Sequence, residues 1–195
     1  MKKNKFWKIT LILLVVAFSA ILLRPVLFAS YIVDGKSMEP TLHDGNLLMV
    51  NKVIYNVAEA DRFDVIVFHA NKQEDYVKRV IGLPGDQIEY KNDKLYINGT
   101  YMEEEFLESY VSASNVRPFT DDFTLEEVTG ETTVPEGELF VMGDNRQDSL
   151  DSRSFGFVST EQLVGKVDAM YWPISEMSLS LGKYNHAHNS SSVDR

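Results

Sequence analysis

The hydrophobic pattern divides the chain into one long apolar run and a series of short strand-like segments. Residues 9–23 carry no charge, and Thr10 and Ser19 are their only polar side chains. Downstream, apolar and β-branched residues recur in short runs separated by turn sequences such as Asn98-Gly99. This spacing predicts a mainly β, antiparallel domain that follows one N-terminal transmembrane helix.

The apolar run has the layout of a membrane anchor. Four lysines precede it and an Arg-Pro pair closes it. About 20 apolar residues span a bilayer, so this run is near the short end. The lysines predict a cytoplasmic N-terminus at 1–8, a transmembrane anchor at 9–24 and an extracytoplasmic remainder. A cleaved secretory signal shares this layout, but its small-x-small cleavage sites are poor here, because Leu27 stands two residues before Ala29.

The strand-like segments predict one β domain over 25–181. The predicted strands are Tyr31–Val33, Asn46–Tyr55, Arg62–Phe68, Tyr76–Gly82, Gln87–Tyr90, Lys94–Ile97, Leu139–Met142 and Lys166–Trp172. Arg62–Phe68 and Tyr76–Gly82 should pair as a hairpin, and the near-continuous apolar end of the first predicts burial on both faces. Residues 102–130 are acidic and irregular in pattern, which predicts a solvated peripheral insertion. Residues 182–195 are expected to form a disordered polar tail.

Composition excludes several classes of function. The formal net charge of the 195-residue chain is −10, which argues against nucleic acid as a partner, because phosphate binding needs a basic face. Cysteine is absent, so disulfides, thiolate nucleophiles and cysteine-ligated metals are excluded. The HExxH pattern of zinc proteases is also absent. We expect neither a metal nor an organic cofactor.

Ser37 is a candidate nucleophile on a short loop. Gly35 before it and Pro40 after it favour an exposed serine on a rigid turn, although most serines in such turns are only solvated. A serine nucleophile needs a base to take its proton. His43 and His69 make a Ser-His-Asp triad conceivable, but neither lies in a recognisable triad motif.

Lys78 is the alternative base. Strand alternation places it on one face with Tyr76 and Val80, while Arg79 and Val77 point to the other face. A lysine among apolar neighbours loses solvation, which lowers its pKa, and a neutral lysine can act as general base. Ser-Lys pairs are a known variant of the serine hydrolase arrangement. A solvated strand lysine is the plainer interpretation of Lys78 on its own.

The loop at 143–153 is dense in carboxylate, amide, hydroxyl and guanidinium groups. Such a density favours a fixed network of hydrogen bonds. A calcium loop is a second interpretation, but Asp144, Asp148 and Asp151 lack the spacing and glycine placement of an EF-hand. A plain solvated turn is the third.

Taken together, these stretches resemble bacterial type I signal peptidases of the short Gram-positive kind. The resemblance rests on the apolar run and on four motifs, GKSMEPTL at 35–42, RFDVIVF at 62–68, YVKRVIGLPGD at 76–86 and GDNRQDSLDSRSFG at 143–156. It implies a membrane-anchored serine endopeptidase with a mostly antiparallel β fold, a constant catalytic core and a variable cap at about 87–135. The implied partners are the lipid bilayer and the signal peptides of translocated preproteins, cleaved after A-x-A-type sites.

The resemblance also assigns roles within the site. Ser37 matches the nucleophile, Lys78 the general base, and Ser149 a serine that orients the lysine. Asp151 and Arg153 resemble a supporting ion pair. Further supporting residues are Asp144 and Arg146 of the same motif and Arg79, which is expected to hold the carboxylate loop. An extended substrate would add to exposed strand edges; the candidate substrate-binding residues are Tyr31, Ile32, Val33, Asp34, Tyr76 and Val77.

Gly35 is a departure from part of that family. Some members carry a serine two residues before the nucleophile, and its hydroxyl helps to form the oxyanion hole. With Gly35 in that position, the oxyanion would rest on the Ser37 N–H together with a backbone contribution from Gly35 or a water. The second donor is left unassigned.

Two other functions fit parts of the pattern. A self-cleaving Ser-Lys regulator protease of the repressor type shares the β core but carries a DNA-binding domain, where this chain has an apolar run and a net charge of −10. An inactive accessory subunit that binds preproteins is the non-enzymatic alternative. The presence of both Ser37 and Lys78 argues against it.

Overall fold

The computed structural model describes residues 2–113, 116–179 and 181. The α-helices are α1 (Lys2–Leu27), α2 (Glu105–Ala113), α3 (Leu125–Thr129) and α4 (Ser152–Phe155). The strands are β1 (Phe28–Ile32), β2 (Leu47–Asn51), β3 (Val65–His69), β4 (Asp75–Gly82), β5 (Ile88–Lys91), β6 (Lys94–Ile97), β7 (Thr100–Met102), β8 (Phe123–Thr124), β9 (Glu138–Met142), β10 (Val158–Ser159) and β11 (Leu163–Trp172). The predicted tail at 182–195 lies outside the described residues.

Helix α1 contains the run predicted as a membrane anchor. It extends from Lys2 to Leu27, and Pro25 lies in its last turn. The large apolar side chains that the structure describes between Trp7 and Val26 are exposed, with Leu13 at 63%. Within the described part of the chain, however, no helix reaches the length and apolar content needed to cross a membrane. Residues 9–24 are therefore helical, but the transmembrane anchor predicted there is not confirmed.

Two antiparallel sheets confirm the mainly β prediction. The larger sheet has the strand order β1-β2-β11-β3-β4-β9-β10, and the smaller has the order β7-β6-β5-β8. Strands β3 and β4 form the predicted hairpin, with Val65 opposite Arg79. Strand β3 is buried on both faces, because Val67 packs into one core cluster while Ile66 packs into another. Its near-continuous apolar sequence follows from this double burial.

Among the described residues, the larger sheet leaves two strand edges open next to each other. Strand β1 stands at one end of the strand order and pairs with β2. Strand β4 pairs with β9 from Arg79 onward, so its first residues have the partner β3 on one side. Tyr31 Oη donates a hydrogen bond to Asp75 Oδ2 at 2.9 Å, which joins β1 to β4 although three strands separate them in the sheet. The sheet therefore curls until these open edges face one another.

The segment at 102–130 contains regular elements in its described residues, 102–113 and 116–130, so the prediction that it is irregular is wrong. It contains α2, β8 and α3, and its apolar side chains Leu107, Phe123 and Leu125 are buried. Phe123 and Leu125 share a core cluster with Phe140 of the larger sheet. The acidic residues obscured this core, because most of them face solvent while apolar residues between them are buried.

One predicted strand is shorter in the structure than in the sequence pattern. The apolar stretch 46–55 was predicted as a strand or strand pair. Strand β2 ends at Asn51, and a 3-10 turn over Ile54–Asn56 follows it. An apolar run alone does not fix where a strand ends, because a partly exposed turn such as Ile54–Asn56 can also carry large apolar side chains.

Candidate active site

Ser37 lies on the loop that follows β1, and buried side chains hold this loop against the core. Met38 and Leu42 are 1% and 0% exposed and pack into the core cluster under the larger sheet. The Leu42 N–H donates to Met38 O at 2.9 Å, which forms one helical turn. At the base of the loop, the Val33 N–H donates to Asn46 O at 2.9 Å. Ser37 is therefore presented half-buried on a fixed backbone.

Lys78 of β4 reaches the hydroxyl of Ser37. Its Nζ donates to Ser37 Oγ at 2.8 Å and to Val77 O at 3.1 Å. The lysine is 4% exposed. Burial lowers the pKa of Lys78 to about 8, although the carboxylates of Asp151 and Asp144 act in the opposite direction. A large fraction of Lys78 is therefore neutral in mildly alkaline solution, the form that a general base requires.

The two histidines considered as bases are engaged elsewhere. His43 Nδ1 lies 3.7 Å from Glu39 Oε1, and its side chain is 52% exposed. His69 Nδ1 lies 2.6 Å from Asp75 Oδ1, and its side chain is 61% exposed. Since Ser37 Oγ bonds to Lys78, the geometry favours the lysine over either histidine.

Arg79, the neighbour of Lys78, holds Asp144 in a fully buried ion pair. Its Nε donates to Asp144 Oδ1 at 2.8 Å, and its Nη2 donates to Asp144 Oδ2 at 2.6 Å. The Thr41 hydroxyl, from the Ser37 loop, also donates to Asp144 Oδ2. Arg79 Nη1 donates to Phe63 O at 2.9 Å and to Leu181 O at 2.7 Å. The pair thus joins β4, the Ser37 loop and the loop at 143–153, and Asp144 serves as an arginine partner.

The loop at 143–153 contacts the Ser37 loop directly. The Asn145 N–H donates to Ser37 O at 3.1 Å, and Asn145 Nδ2 donates to Lys36 O at 3.1 Å. Gly143 permits this approach, because a Cβ there would lie 2.3 Å from Ser37 O and 2.2 Å from Ser149 Oγ. Sequence reasoning did not single out Gly143 or Asn145. Their signal was their place in the motif at 143–156, in which a glycine and polar residues directly follow a buried strand.

Asp151 and Arg153 form the second ion pair of this loop. Arg153 Nε donates to Asp151 Oδ1 at 2.9 Å, while Arg153 Nη2 and the Gly143 N–H donate to Asp151 Oδ2 at 2.8 and 3.0 Å. Burial alone would raise the pKa of Asp151. The hydrogen bonds and charge of Arg153, with the Gly143 N–H, nevertheless hold that pKa below its ordinary value. Asp151 therefore stays ionised and fixes both ends of the loop.

Ser149 is not bonded to Lys78. Its Oγ is buried and, among the described residues, makes no hydrogen bond of ordinary geometry. Its contact with the Asp151 carboxylate helps to lower the pKa of that group but falls outside that geometry. The hydrogen bond from Ser149 that should orient Lys78 is therefore absent from this conformation.

Arg146 bonds to the smaller sheet and the segment after it. Its Nη2 and Nη1 donate to the two carboxylate oxygens of Glu104, its Nη1 also donates to Tyr90 Oη at 2.9 Å, and its Nε donates to Gly143 O at 3.1 Å. Glu104, assigned from sequence to a solvated insertion, is thus a supporting residue that was missed. No local motif marks it, because its partner lies 42 residues later in the chain.

Gly35 uses its N–H inside its own loop. The N–H donates to Asp44 Oδ1 at 2.9 Å. Its φ of +92° is in the region that favours glycine. The suggestion that the Gly35 backbone contributes to an oxyanion hole is therefore wrong for its N–H group.

The candidate substrate-binding residues lie along the two open edges. Ile32 and Asp34 are exposed, while Tyr31, Tyr76 and Val77 are partly buried. Buried Val33 directs its N–H and C=O to the β2 side, where Asn46 and Gly45 bond them. Because hydrogen bonding alternates along an antiparallel strand, the backbone groups at 32 and 34 face the open side.

Replacing Asp151 with alanine should lower stability as well as activity. The change leaves the buried Gly143 N–H and the Arg153 guanidinium without their acceptor, which should cost about 3 kcal/mol. For a domain of this size that corresponds to a fall in Tm of roughly 6–12 °C, measurable by circular dichroism. Asp148→Ala, at an exposed site of the same loop, is the control. An unchanged Tm for Asp151→Ala would argue against a structural ion pair.

A buried lysine bonded to a half-buried serine, set beside open strand edges of an antiparallel sheet, is the arrangement of a Ser-Lys serine hydrolase. Residues 5–172 match the model of one protein family, which is described as signal peptidase, peptidase S26. The chain belongs to this family, and the resemblance seen in its motifs is confirmed. It is therefore a peptidase, as predicted.

Individual relatives agree with the family match. A signal peptidase I from Bacillus caldolyticus is 59% identical over 156 residues, which are 80% of this chain and 86% of the relative. A signal peptidase IB from Staphylococcus aureus (strain MRSA252) is 42% identical over 159 residues, or 80% and 83% of the two chains. The crystal structure of a signal peptidase I from Enterococcus faecalis V583 is similar at 45% identity and a TM-score of 0.53, covering 57% of this chain and 98% of that one.

Proposed function

We propose that this protein is a membrane-anchored serine endopeptidase that removes signal peptides from secreted preproteins, cutting after small residues at A-x-A-type sites. Ser37 is the nucleophile and Lys78 the general base. The observation that carries the proposal is the 2.8 Å hydrogen bond between Lys78 Nζ and Ser37 Oγ in a buried site. Membership of the signal peptidase family supports the substrate class.

The reaction needs only groups of this chain and water. Neutral Lys78 accepts the proton of Ser37 Oγ as that oxygen attacks the scissile carbonyl carbon. The lysine then gives this proton to the departing amine, which leaves an acyl-enzyme on Ser37. Lys78 next takes a proton from a water that attacks the ester and gives it to Ser37 Oγ as the acyl bond breaks. Ser37 and neutral Lys78 are thereby restored, and the signal peptide leaves with a new terminal carboxyl group. The Ser37 N–H supplies one oxyanion donor.

Substrate binding is proposed at the gap between β1 and β4. An extended peptide there can pair with the free backbone groups at 32 and 34 on one side and with the start of β4 on the other. Val33 and partly buried Tyr31 and Val77 belong to one apolar cluster at this gap, so the pockets next to it are apolar. Shallow apolar pockets favour small side chains in the substrate. The Tyr31–Asp75 hydrogen bond spans the gap where the two edges meet.

We also propose that the N-terminal helix anchors the enzyme at the membrane, with residues 1–8 cytoplasmic, 9–24 in the bilayer and the catalytic domain outside. The four lysines before the apolar run support this orientation. Strand β1 begins at Phe28, directly after α1, so the site would be held close to the bilayer surface. A preprotein tethered to the same membrane then meets the site at a raised effective concentration.

Cleavage of a purified preprotein with an A-x-A site should depend on pH through Lys78. The lowered pKa means that the neutral form grows as pH rises, so kcat/KM should increase about tenfold per unit below pH 8 and level off above it. Initial rates between pH 6 and pH 10 measure this profile, and circular dichroism at each pH checks that the enzyme stays folded. A midpoint near 6.5, the ordinary pKa of histidine, would point to His43 or His69 instead. Binding without cleavage at any pH would identify an inactive accessory subunit.

A further inference from the structure

The chain continues past the family match and returns to the active-site core. The match ends at residue 172. After it, the Met170 and Ser178 backbones exchange two hydrogen bonds, at 3.0 and 2.9 Å, which turns the chain back along β11. Leu179 is 72% exposed, whereas Leu181 is 8% exposed. We call residues 173–179 and 181 the C-terminal segment. Its last described residue is therefore the one that enters the core.

Leu181 belongs to the core beneath the Ser37 loop and bonds to the arginine that follows Lys78. Its side chain belongs to the core cluster that includes Met38 and Leu42, the two residues that anchor the Ser37 loop. Its carbonyl oxygen accepts the hydrogen bond from Arg79 Nη1 at 2.7 Å. One residue thus supports the loop of the serine and the arginine that follows the lysine.

We propose that Leu181 is a positioning residue for the peptidase reaction, and that the C-terminal segment completes the active-site support outside the region matched by the family. The inference rests on the proposed roles of Ser37 and Lys78. Leu181 is called a positioning residue because it acts through Arg79 and the core cluster.

The hydrogen bonds of Arg79 explain why this position matters. Its guanidinium is 0% exposed, and its donors are used by Asp144, Phe63 and Leu181. A buried guanidinium that loses an acceptor must shift or admit water, because an unpaired buried donor is unfavourable. Either change displaces Asp144 and the strand that carries Lys78. Displacements of about 1 Å at reacting groups lower rates by about 100-fold.

Leu181→Ala tests the proposal against two matched leucines. Leu95→Ala removes a fully buried leucine from the smaller sheet, and Leu179→Ala removes an exposed one from the C-terminal segment. All three proteins are compared with wild type at a temperature where each is folded. The alanine keeps the carbonyl but loses the side chain that holds residue 181 in the core, so the carbonyl should move away from Arg79. Leu181→Ala should therefore lower kcat about tenfold or more and leave KM within about twofold. Leu95→Ala should lose at least as much Tm as Leu181→Ala but keep kcat, and Leu179→Ala should match wild type.

The Lys78 titration, followed by NMR of ¹⁵N-labelled lysine without substrate, gives a readout independent of cleavage. Water entry in Leu181→Ala should raise the Lys78 pKa from about 8 toward its ordinary value, because burial is what lowers it. Leu95→Ala should leave the titration unchanged. If wild type does not cleave preproteins but its lysine titration responds to Leu181→Ala, the proposed function fails while the positioning role stands.

Three results would overturn the positioning role. One is an equal effect of Leu181→Ala and Leu95→Ala on kcat, which would make Leu181 a stability residue only. The second is a rise in KM at unchanged kcat, which would place the segment against substrate. The third is full activity of a chain that ends at residue 179, when a chain that ends at Leu181 is the reference.

Discussion

Ser37→Ala should abolish preprotein cleavage while leaving the protein folded. The change removes the atom that attacks the substrate, and loss of a serine nucleophile lowers kcat by about 10⁵–10⁶-fold. Its effect on the fold should be small, because Ser37 Oγ bonds to Lys78 whereas the loop is anchored by Met38 and Leu42. Appearance of the mature product on a gel measures cleavage, and thermal unfolding measures the fold.

Two comparisons separate this result from a general loss of structure. Ser154→Ala, at an exposed serine of α4, should cleave at the wild-type rate. Ser37→Ala should also keep its affinity for the preprotein, since substrate contacts are proposed along the strand edges. Residual cleavage well above background by folded Ser37→Ala would show that another group is the nucleophile.

Local patterns in the sequence predicted the elements that carry the site. Strand alternation over 76–81 separated Lys78 from Arg79, and in the structure one bonds Ser37 while the other bonds Asp144. Periodicity alone did not bring Ser37 and Lys78 together, because they lie 41 residues apart. The family resemblance supplied that pairing. The curled sheet explains it, since the loop after β1 and the start of β4 lie at facing edges.

The motifs could not predict which residues from other parts of the chain bond to the site residues. Arg146 and Asp144 are close in one motif, yet each pairs with a residue from another part of the chain. Glu104 belongs to an acidic stretch in which the sequence gives no reason to prefer one carboxylate. Leu181 supports Arg79 through a backbone oxygen, a contact that any residue type can make. Such choices depend on where chain segments meet, which a local pattern does not encode.

The hydrogen bonds of the Ser149 hydroxyl and the Gly35 N–H could not be predicted from the sequence either. Ser149 has the residue type expected of a lysine-orienting serine, but its Oγ lacks that bond in this conformation. The sequence left the Gly35 N–H as a candidate oxyanion donor, but in the structure this group donates to Asp44. Both outcomes depend on small differences in atomic position that the residue type does not determine. Hydrogen bonds weaken steeply outside a narrow range of distance and angle.

Lys78→Met should remove activity about as completely as Ser37→Ala, and it should not lower stability. Methionine keeps an unbranched apolar side chain of similar length but cannot accept the Ser37 proton, so kcat should fall by about 10⁴-fold or more. The buried lysine has its pKa lowered from 10.5 to about 8. Its charged form therefore destabilises the folded state below pH 8, by up to about 3 kcal/mol. This penalty fades as pH rises toward 10.5.

The stability of Lys78→Met thus tests the burial of the lysine separately from its catalytic role. Its Tm should equal or exceed that of wild type at pH 6, and the difference should shrink toward pH 10, because wild-type Lys78 is then neutral in the folded state. Lys72→Met, at an exposed position in the turn before β4, should change neither cleavage nor this pH dependence. Near-wild-type cleavage by Lys78→Met would show that Lys78 is not the base and would point to His43 or His69 instead. A Tm deficit that persists at every pH would mean that the ammonium stabilises the site, which contradicts a neutral resting lysine.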